Sequence, residues 1–171
     1  KDDGTGPVPP GTPGNPPSDD DRPSVAISVA PGSMNEDAAG VMTYTITLSN
    51  ASDFATTVNY NLSGTAGNTD YTTTGTGSVT IPAGQTSATF TVDPTADTQF
   101  EADETVIATI TSASSNGQTL SVTTPAATGT ITNDAVASTY SVDDVSISEG
   151  GLMTFTVTRS GDTQSAQTIN F

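Results

Sequence analysis

The chain has 171 residues, with 19 Asp and Glu against 3 Lys and Arg, no His, no Cys and a formal net charge of −16. That balance excludes the basic stripe that nucleic acid requires and gives an anionic membrane surface nothing to attract. Without Cys or His, disulfides, thiolate- or imidazole-bound zinc and a Ser-His triad are excluded too, so no enzyme is expected. No apolar run reaches the 18 or more residues of a membrane-spanning helix, so direct membrane insertion is not expected. The chain opens at Lys1 and closes at QSAQTINF, within an expected strand. It therefore reads as a piece of a longer polypeptide, with any export signal outside it. Thr, Ser and Asp enrichment with scarce Lys points, by association, to an extracellular or cell-surface bacterial protein.

Residues 1–23, KDDGTGPVPPGTPGNPPSDDDRP, are Pro- and Gly-rich with almost nothing apolar. Such a segment cannot bury enough surface to offset its ordering entropy, and it reads as a flexible linker. From Ser24 the texture changes to short alternating runs. These are VAISV (25–29), VMTYTITLS (41–49), TTVNYNLSG (56–64), GSVTIPAG (77–84), SATFTVD (87–93), ETVIATITSAS (104–114) and ATGTITND (127–134). Met42, Tyr44, Ile46 and Leu48 alternate with Thr43, Thr45 and Thr47, the period of a strand with one buried face. Tyr44, Tyr60, Phe90, Phe100 and Phe155 are expected in the core. Turn-forming stretches such as SGTAGNTD (63–70) and SNGQ (115–118) separate the runs. About seven short strands at this spacing predict an all-β, immunoglobulin-like antiparallel Greek-key sandwich over residues 24–135.

An internal repeat follows. NEDAAGVMTYTITLS (35–49) returns as SEGGLMTFTVTRS (148–160) after about 113 residues. Glu149 answers Glu36, Phe155 answers Tyr44 and Val157 answers Ile46. Residues 136–171 thus read as the front part of a second repeat, which is expected to be poorly stable or to finish its sheet with another chain.

The stretch ADTQFEADET (96–105) gathers Asp97, Glu101, Asp103 and Glu104 with no base nearby. Turns favour isolated acids through local hydrogen bonds, and solvated turns are the plain reading of such residues. Four carboxylates in eight residues ask for more than a plain turn, and a divalent cation is the other reading. Calcium takes six to eight oxygen ligands from carboxylates, carbonyls and amides. Distant acids meet around such an ion only if the strands carry their loops to one end of a sandwich.

The succession VAISV…NED…YTITLS…GNTDY…GSVTIPAGQTSATFTV…DTQFEADETV…GTITND resembles the Calx-β domain, a unit of sodium/calcium exchangers that also occurs in tandem in bacterial surface proteins and adhesins. The resemblance implies a seven-stranded sandwich with calcium at one end, held by Glu36, Asp70, Asp97, Gln99, Glu101 and Asp134. Glu104, Asn133 and Glu149 match that pattern less well. Thr98 and Ala135 stand where the family's stronger calcium binders carry further acids, which implies fewer or more weakly held ions. The function implied is a calcium-stiffened structural or adhesive repeat that meets neighbouring repeats and a cell-surface or matrix ligand. A carbohydrate-binding module, or a non-catalytic accessory domain of an extracellular hydrolase, is the alternative.

Overall fold

A computed structural model describes residues 22–163 and 166–171. The expected linker, apart from Arg22 and Pro23, and its Asp19–Asp21 triplet lie outside the described residues. The seven alternating runs are strands: β1 (Val25–Ala30), β3 (Met42–Leu48), β4 (Thr56–Gly64), β6 (Ser78–Ile81), β7 (Ser87–Pro94), β8 (Glu104–Ser115) and β11 (Ala126–Thr132). Four short strands accompany them: β2 (Ser33–Asn35), β5 (Tyr71–Thr73), β9 (Gln118–Thr119) and β10 (Val122–Thr124). One sheet runs β10-β1-β3-β7-β5, and the other β2-β11-β8-β4-β6 with β9 beside β8. A separate two-stranded sheet holds β12 (Thr139–Val142) and β13 (Val157–Ser160). Among the described residues no helix is long and apolar enough to cross a membrane.

The sandwich is not wholly antiparallel. Pro31 and Gly32 interrupt the first run, so that β1 stays in one sheet while β2 crosses to the other. There β2 lies parallel to β11, Asn35 opposite Thr132, and β1 lies parallel to β10. Pro31 offers no ladder donor, which makes it a natural place for a strand to change sheets.

Met42, Tyr44, Ile46 and Leu48 are buried, and the Thr residues between them face outward. Tyr44 and Phe90 are cross-strand neighbours of one sheet, and Tyr60 comes from the other. Phe90 lies between the two tyrosines, with ring centroids 5.0 Å from Tyr44 and 4.4 Å from Tyr60. This stack joins the layers. The Tyr44 hydroxyl also reaches across, donating to the Val106 carbonyl at 2.6 Å and accepting from the Gly129 amide at 3.1 Å. Gly129 has to be glycine, because a Cβ there would lie 2.7 Å from both the Tyr44 oxygen and the Met42 sulfur. Phe100 and Phe155, expected in the core, are instead exposed. Phe100 sits on the loop between β7 and β8, and Phe155 lies just before β13, which among the described residues pairs only with β12.

Replacing Tyr44 by Phe keeps the ring but strips the Val106 carbonyl and Gly129 amide of their partner. Leaving buried backbone groups unsatisfied costs about 1–3 kcal/mol. Urea unfolding of Tyr44→Phe should show a lower midpoint at an unchanged slope.

Candidate metal centre

The strand directions bring the acids together. β2 and β11 run in parallel, so the residues that follow them, Glu36 and Asp37 on one and Asn133 and Asp134 on the other, emerge side by side. The Glu36 amide donates to the Thr132 carbonyl at 3.1 Å, which fixes that junction. β8 is antiparallel to β11 and begins at Glu104, opposite Ile131. β4 is antiparallel to β8 and ends at Gly64, opposite Val106, so the loop carrying Asp70 opens at the same end. β7 ends there as well, and the Thr95 amide bonds the Asp70 carbonyl at 2.9 Å. Every carboxylate between residues 22 and 135 except Asp53 therefore sits on a loop or strand end at one pole.

Two groups form within the pole. In the first, Asp70, Glu101 and Glu104 each place a carboxylate oxygen within 4.8 Å of the others. The Gly67 amide and the Thr69 hydroxyl, the latter at 2.9 Å, donate to Asp70. Gly64 turns the chain into this loop with φ at 134°, and a Cβ there would collide with the Thr105 carbonyl at 2.0 Å. Thr65 and Thr105 then clamp the loop, each donating its amide to the other's hydroxyl, at 3.2 and 2.9 Å. The Gln99 side-chain amide donates to Glu101, and the Gln99 backbone amide to Asp97 at 2.7 Å.

The second group is Glu36, Asp37, Asp97 and Asp134. Glu36 is buried, and the Asp134 amide approaches it at 3.5 Å. Asp37, Asp97 and Asp134 line a cleft of about 310 Å³ together with Val136, Gly161 and Asp162.

Crowding of like charges shows in the proton affinities. Burial, a hydrogen bond shared with Asp70 and the charges of Asp70, Glu101 and Glu36 push the Glu104 carboxyl up to about 7. Burial, aided by Asp134 and Asp97, also raises Glu36. A shared hydrogen bond with Asp134, and the charge of Asp134, raise Asp37. For Asp70 burial works upward, but hydrogen bonds from Gly67, Glu104 and Thr69 together outweigh it, and its carboxyl falls below the usual value. Such a pattern is what a cation would relieve.

Glu104, which matches the family pattern less well in sequence, is central to the first group. Asp103 has a role that the sequence did not reveal, accepting from the Asn133 amide at 3.2 Å and so tying the 95–103 loop to the end of β11. The Asn133 side chain turns to Ala135 instead of to the acids: its oxygen accepts from the Ala135 amide at 3.2 Å and its nitrogen donates to the Ala135 carbonyl. Glu149 lies in an exposed turn, Ser148–Gly151, outside the three-carboxylate group. The pairing of Glu104 with Asp70 is long-range, so only the strand register could have exposed it.

A two-layered sandwich with all its acids but Asp53 at one pole defines a class of β-domain, and solved structures share that fold. The Calx CBD1 domain in its apo form matches with a TM-score of 0.51 at 22% identity, over 65% of this chain and 98% of that domain. CBD12 from CALX1.2 matches with a TM-score of 0.50 at 23% identity, over 64% of this chain and 44% of that one. The calcium-binding domain CBD12 of CALX1.1 gives 0.49 at 24%, over 63% and 44%. This chain thus covers less than half of the CBD12 structures. No protein-family model matches it, and no curated protein is significantly similar to it.

The sign of the pH response follows from the raised carboxyls. The folded state holds the Glu104 proton to about pH 7, whereas the unfolded chain releases it near the ordinary glutamate value of 4.5. The native state therefore binds more protons in that window, and stability declines as pH rises through it. Glu36 and Asp37 act in the same direction. In chelator, the midpoint of thermal unfolding should be higher at pH 5 than at pH 8. A flat profile, or one rising toward pH 8, would contradict the crowded pole.

Proposed function

We propose that the acidic pole binds calcium and that the chain is a calcium-stiffened structural or adhesive segment of a large secreted or surface-attached bacterial protein. The observation that carries the reading is the Asp70–Glu101–Glu104 group, three carboxylate oxygens within 4.8 Å of one another with no basic side chain between residues 23 and 158. The donors fit the ion. All are oxygens, as a hard cation prefers, and carboxylates, amide oxygens and water can together supply its six to eight ligands. Glu36, Asp97 and Asp134 would extend the site toward the second group, with Gln99 positioning Glu101. The fold shared with the Calx CBD1 domain accords with the same reading. The ion's chemistry here is charge neutralisation: it would hold together loops that otherwise repel, and it performs no catalysis. In this reading residues 24–135 are one calcium-binding unit, residues 136–171 open a second repeat and residues 1–23 are a linker.

A second reading is favoured by one observation. Phe100 is 52% exposed and adjoins Gln99 on the acidic loop, the arrangement expected where an aromatic face and a cation together hold a sugar. In that case calcium serves a carbohydrate-binding adhesion module, and Phe100→Ala would abolish glycan retention while leaving calcium affinity unchanged.

Calorimetric titration of the full chain with calcium should show saturable binding. Unfolding midpoints should rise by roughly 10 °C or more at one hundred times Kd, since that occupancy adds about 2.7 kcal/mol and each kcal/mol moves a domain of this size by about 4–8 °C. Glu101→Gln and Glu104→Gln should each weaken binding about tenfold or more while leaving stability in chelator unchanged or higher. Asp53→Asn, at the other pole, should change neither. Superimposable melting curves in millimolar calcium and in chelator would remove the proposal.

A further inference from the structure

At the pole away from the acids, β8 turns back into β9 through Asn116 and Gly117. Ser115 stands opposite Gln118, so these two residues alone make the turn. Asn116 has φ at 48° and Gly117 at 75°, the left-handed pair that a two-residue hairpin demands and that Asn-Gly adopts with least strain. Both residues are exposed, and a Cβ placed on Gly117 would meet nothing within 4 Å. Solvent therefore reaches the turn. Among the described residues no hydrogen bond holds the Asn116 side chain or the Gly117 amide. Every other asparagine between residues 24 and 135 precedes a residue with a side chain. Glycine alone leaves the next backbone nitrogen open to close approach.

We propose that Asn116 is a site of spontaneous deamidation, with water as co-reactant. The Gly117 amide gives its proton to hydroxide, and its nitrogen attacks the Asn116 Cγ. A carbon–nitrogen bond forms and closes a five-membered succinimide, while the Cγ–Nδ2 bond breaks. The departing nitrogen takes a proton from water and leaves as ammonia, which regenerates the hydroxide. Water then opens the ring at either carbonyl. Cleavage between Cγ and the Gly117 nitrogen gives aspartate, and cleavage at the main-chain carbonyl gives isoaspartate. Nothing is oxidised or reduced.

The two products differ in consequence. Aspartate fits the same turn and sets a carboxylate in the crevice that Asn116 shares with Arg22. Isoaspartate routes the backbone through the former side chain and lengthens it by one carbon, so the turn no longer holds Ser115 opposite Gln118. Close by, Leu120 is buried and its amide donates to the Ala113 carbonyl at 2.9 Å; this product loosens that core residue. The hairpin thus records the time a molecule has spent in neutral or alkaline surroundings. The inference is independent of any ion at the acidic pole.

The test incubates the folded full chain in buffers from mildly acidic to mildly alkaline pH and maps its peptides by mass. The exchange of an amide NH2 for OH is expected at Asn116, at a rate that rises in proportion to hydroxide, with Asn59, Asn61 and Asn68 unchanged. Part of the product should be labelled by an isoaspartate methyltransferase. Asn116→Gln, which would have to close a six-membered ring, should keep its amide. The isoaspartate fraction should unfold at a lower temperature than the unmodified protein, whereas Asn116→Asp should not. Equal rates at Asn116 and Asn68, a rate indifferent to pH, or reaction only in urea-unfolded chain would overturn the proposal. Equal unfolding midpoints for the isoaspartate fraction and the unmodified protein would overturn the loosening of Leu120.

Discussion

The acidic pole exists only because the sandwich holds its strand ends still while the charges on them repel. The carboxylates at that pole have no basic side chain of the sandwich strands to offset them, and the loops bearing them are fastened chiefly by backbone and hydroxyl contacts: Thr65 with Thr105, Gly67 with Asp70, Asp103 with Asn133. Those fastenings in turn depend on the core. The Tyr44–Phe90–Tyr60 stack and the Tyr44 hydroxyl bind the two layers near the strands whose ends carry Glu104 and the 133–134 pair. Burial of apolar area supplies the favourable free energy, roughly 25 cal/mol per Å², against which the repulsion is set. Packing chemistry and site chemistry are thus coupled through rigid strands with no direct contact between them.

Legibility in the sequence tracked how local the determinants are. Each long strand announces itself by alternation, because its burial is decided by neighbours two residues apart: Met42, Tyr44, Ile46 and Leu48 suffice. β2, β5, β9 and β10 carry two or three residues each, and SMN or YTT has no period to read; they are strands only because a distant partner offers hydrogen bonds. The same distinction divides the site. Glu36, Asp70, Asp97, Glu101 and Asp134 stand out as acids in turns, whereas the weight of Glu104 depends on a register that places the start of β8 beside the 65–70 loop. Asp103 looks like its neighbours in sequence and differs only in facing the Asn133 amide. Phe155 shows the limit of repeat reasoning, since a residue type inherited from a core position is buried only where a second layer exists.

Charge and neutrality are separated in space to an unusual degree. The outward residues of β3 and β7, such as Thr43, Thr45, Thr89 and Thr91, are uncharged, and those of β4 and β11, such as Asn59, Asn61, Thr128 and Thr130, are uncharged as well. Thr suits such positions through its β-branched shape. A fold whose flanks are almost uncharged concentrates most of its electrostatic response at one end, so changes of pH or ionic conditions reach the flanks chiefly through the backbone. The outermost strands, β2, β5, β6 and β10, are only three or four residues long, too short to template pairing with another chain.

The crossing of the first strand from one sheet to the other has a mechanical consequence. The chain comes in beside Ser24 at one end of the sandwich and leaves beside Asp134 at the other, with β1 and β2 laid parallel to β10 and β11. A pull applied between those two points runs along the strand axes. It loads the ladder bonds of both parallel pairs at once, in shear, instead of opening them one after another as a zip. The same crossing that sets Glu36 beside Asp134 makes the long axis of the sandwich the direction in which it resists extension.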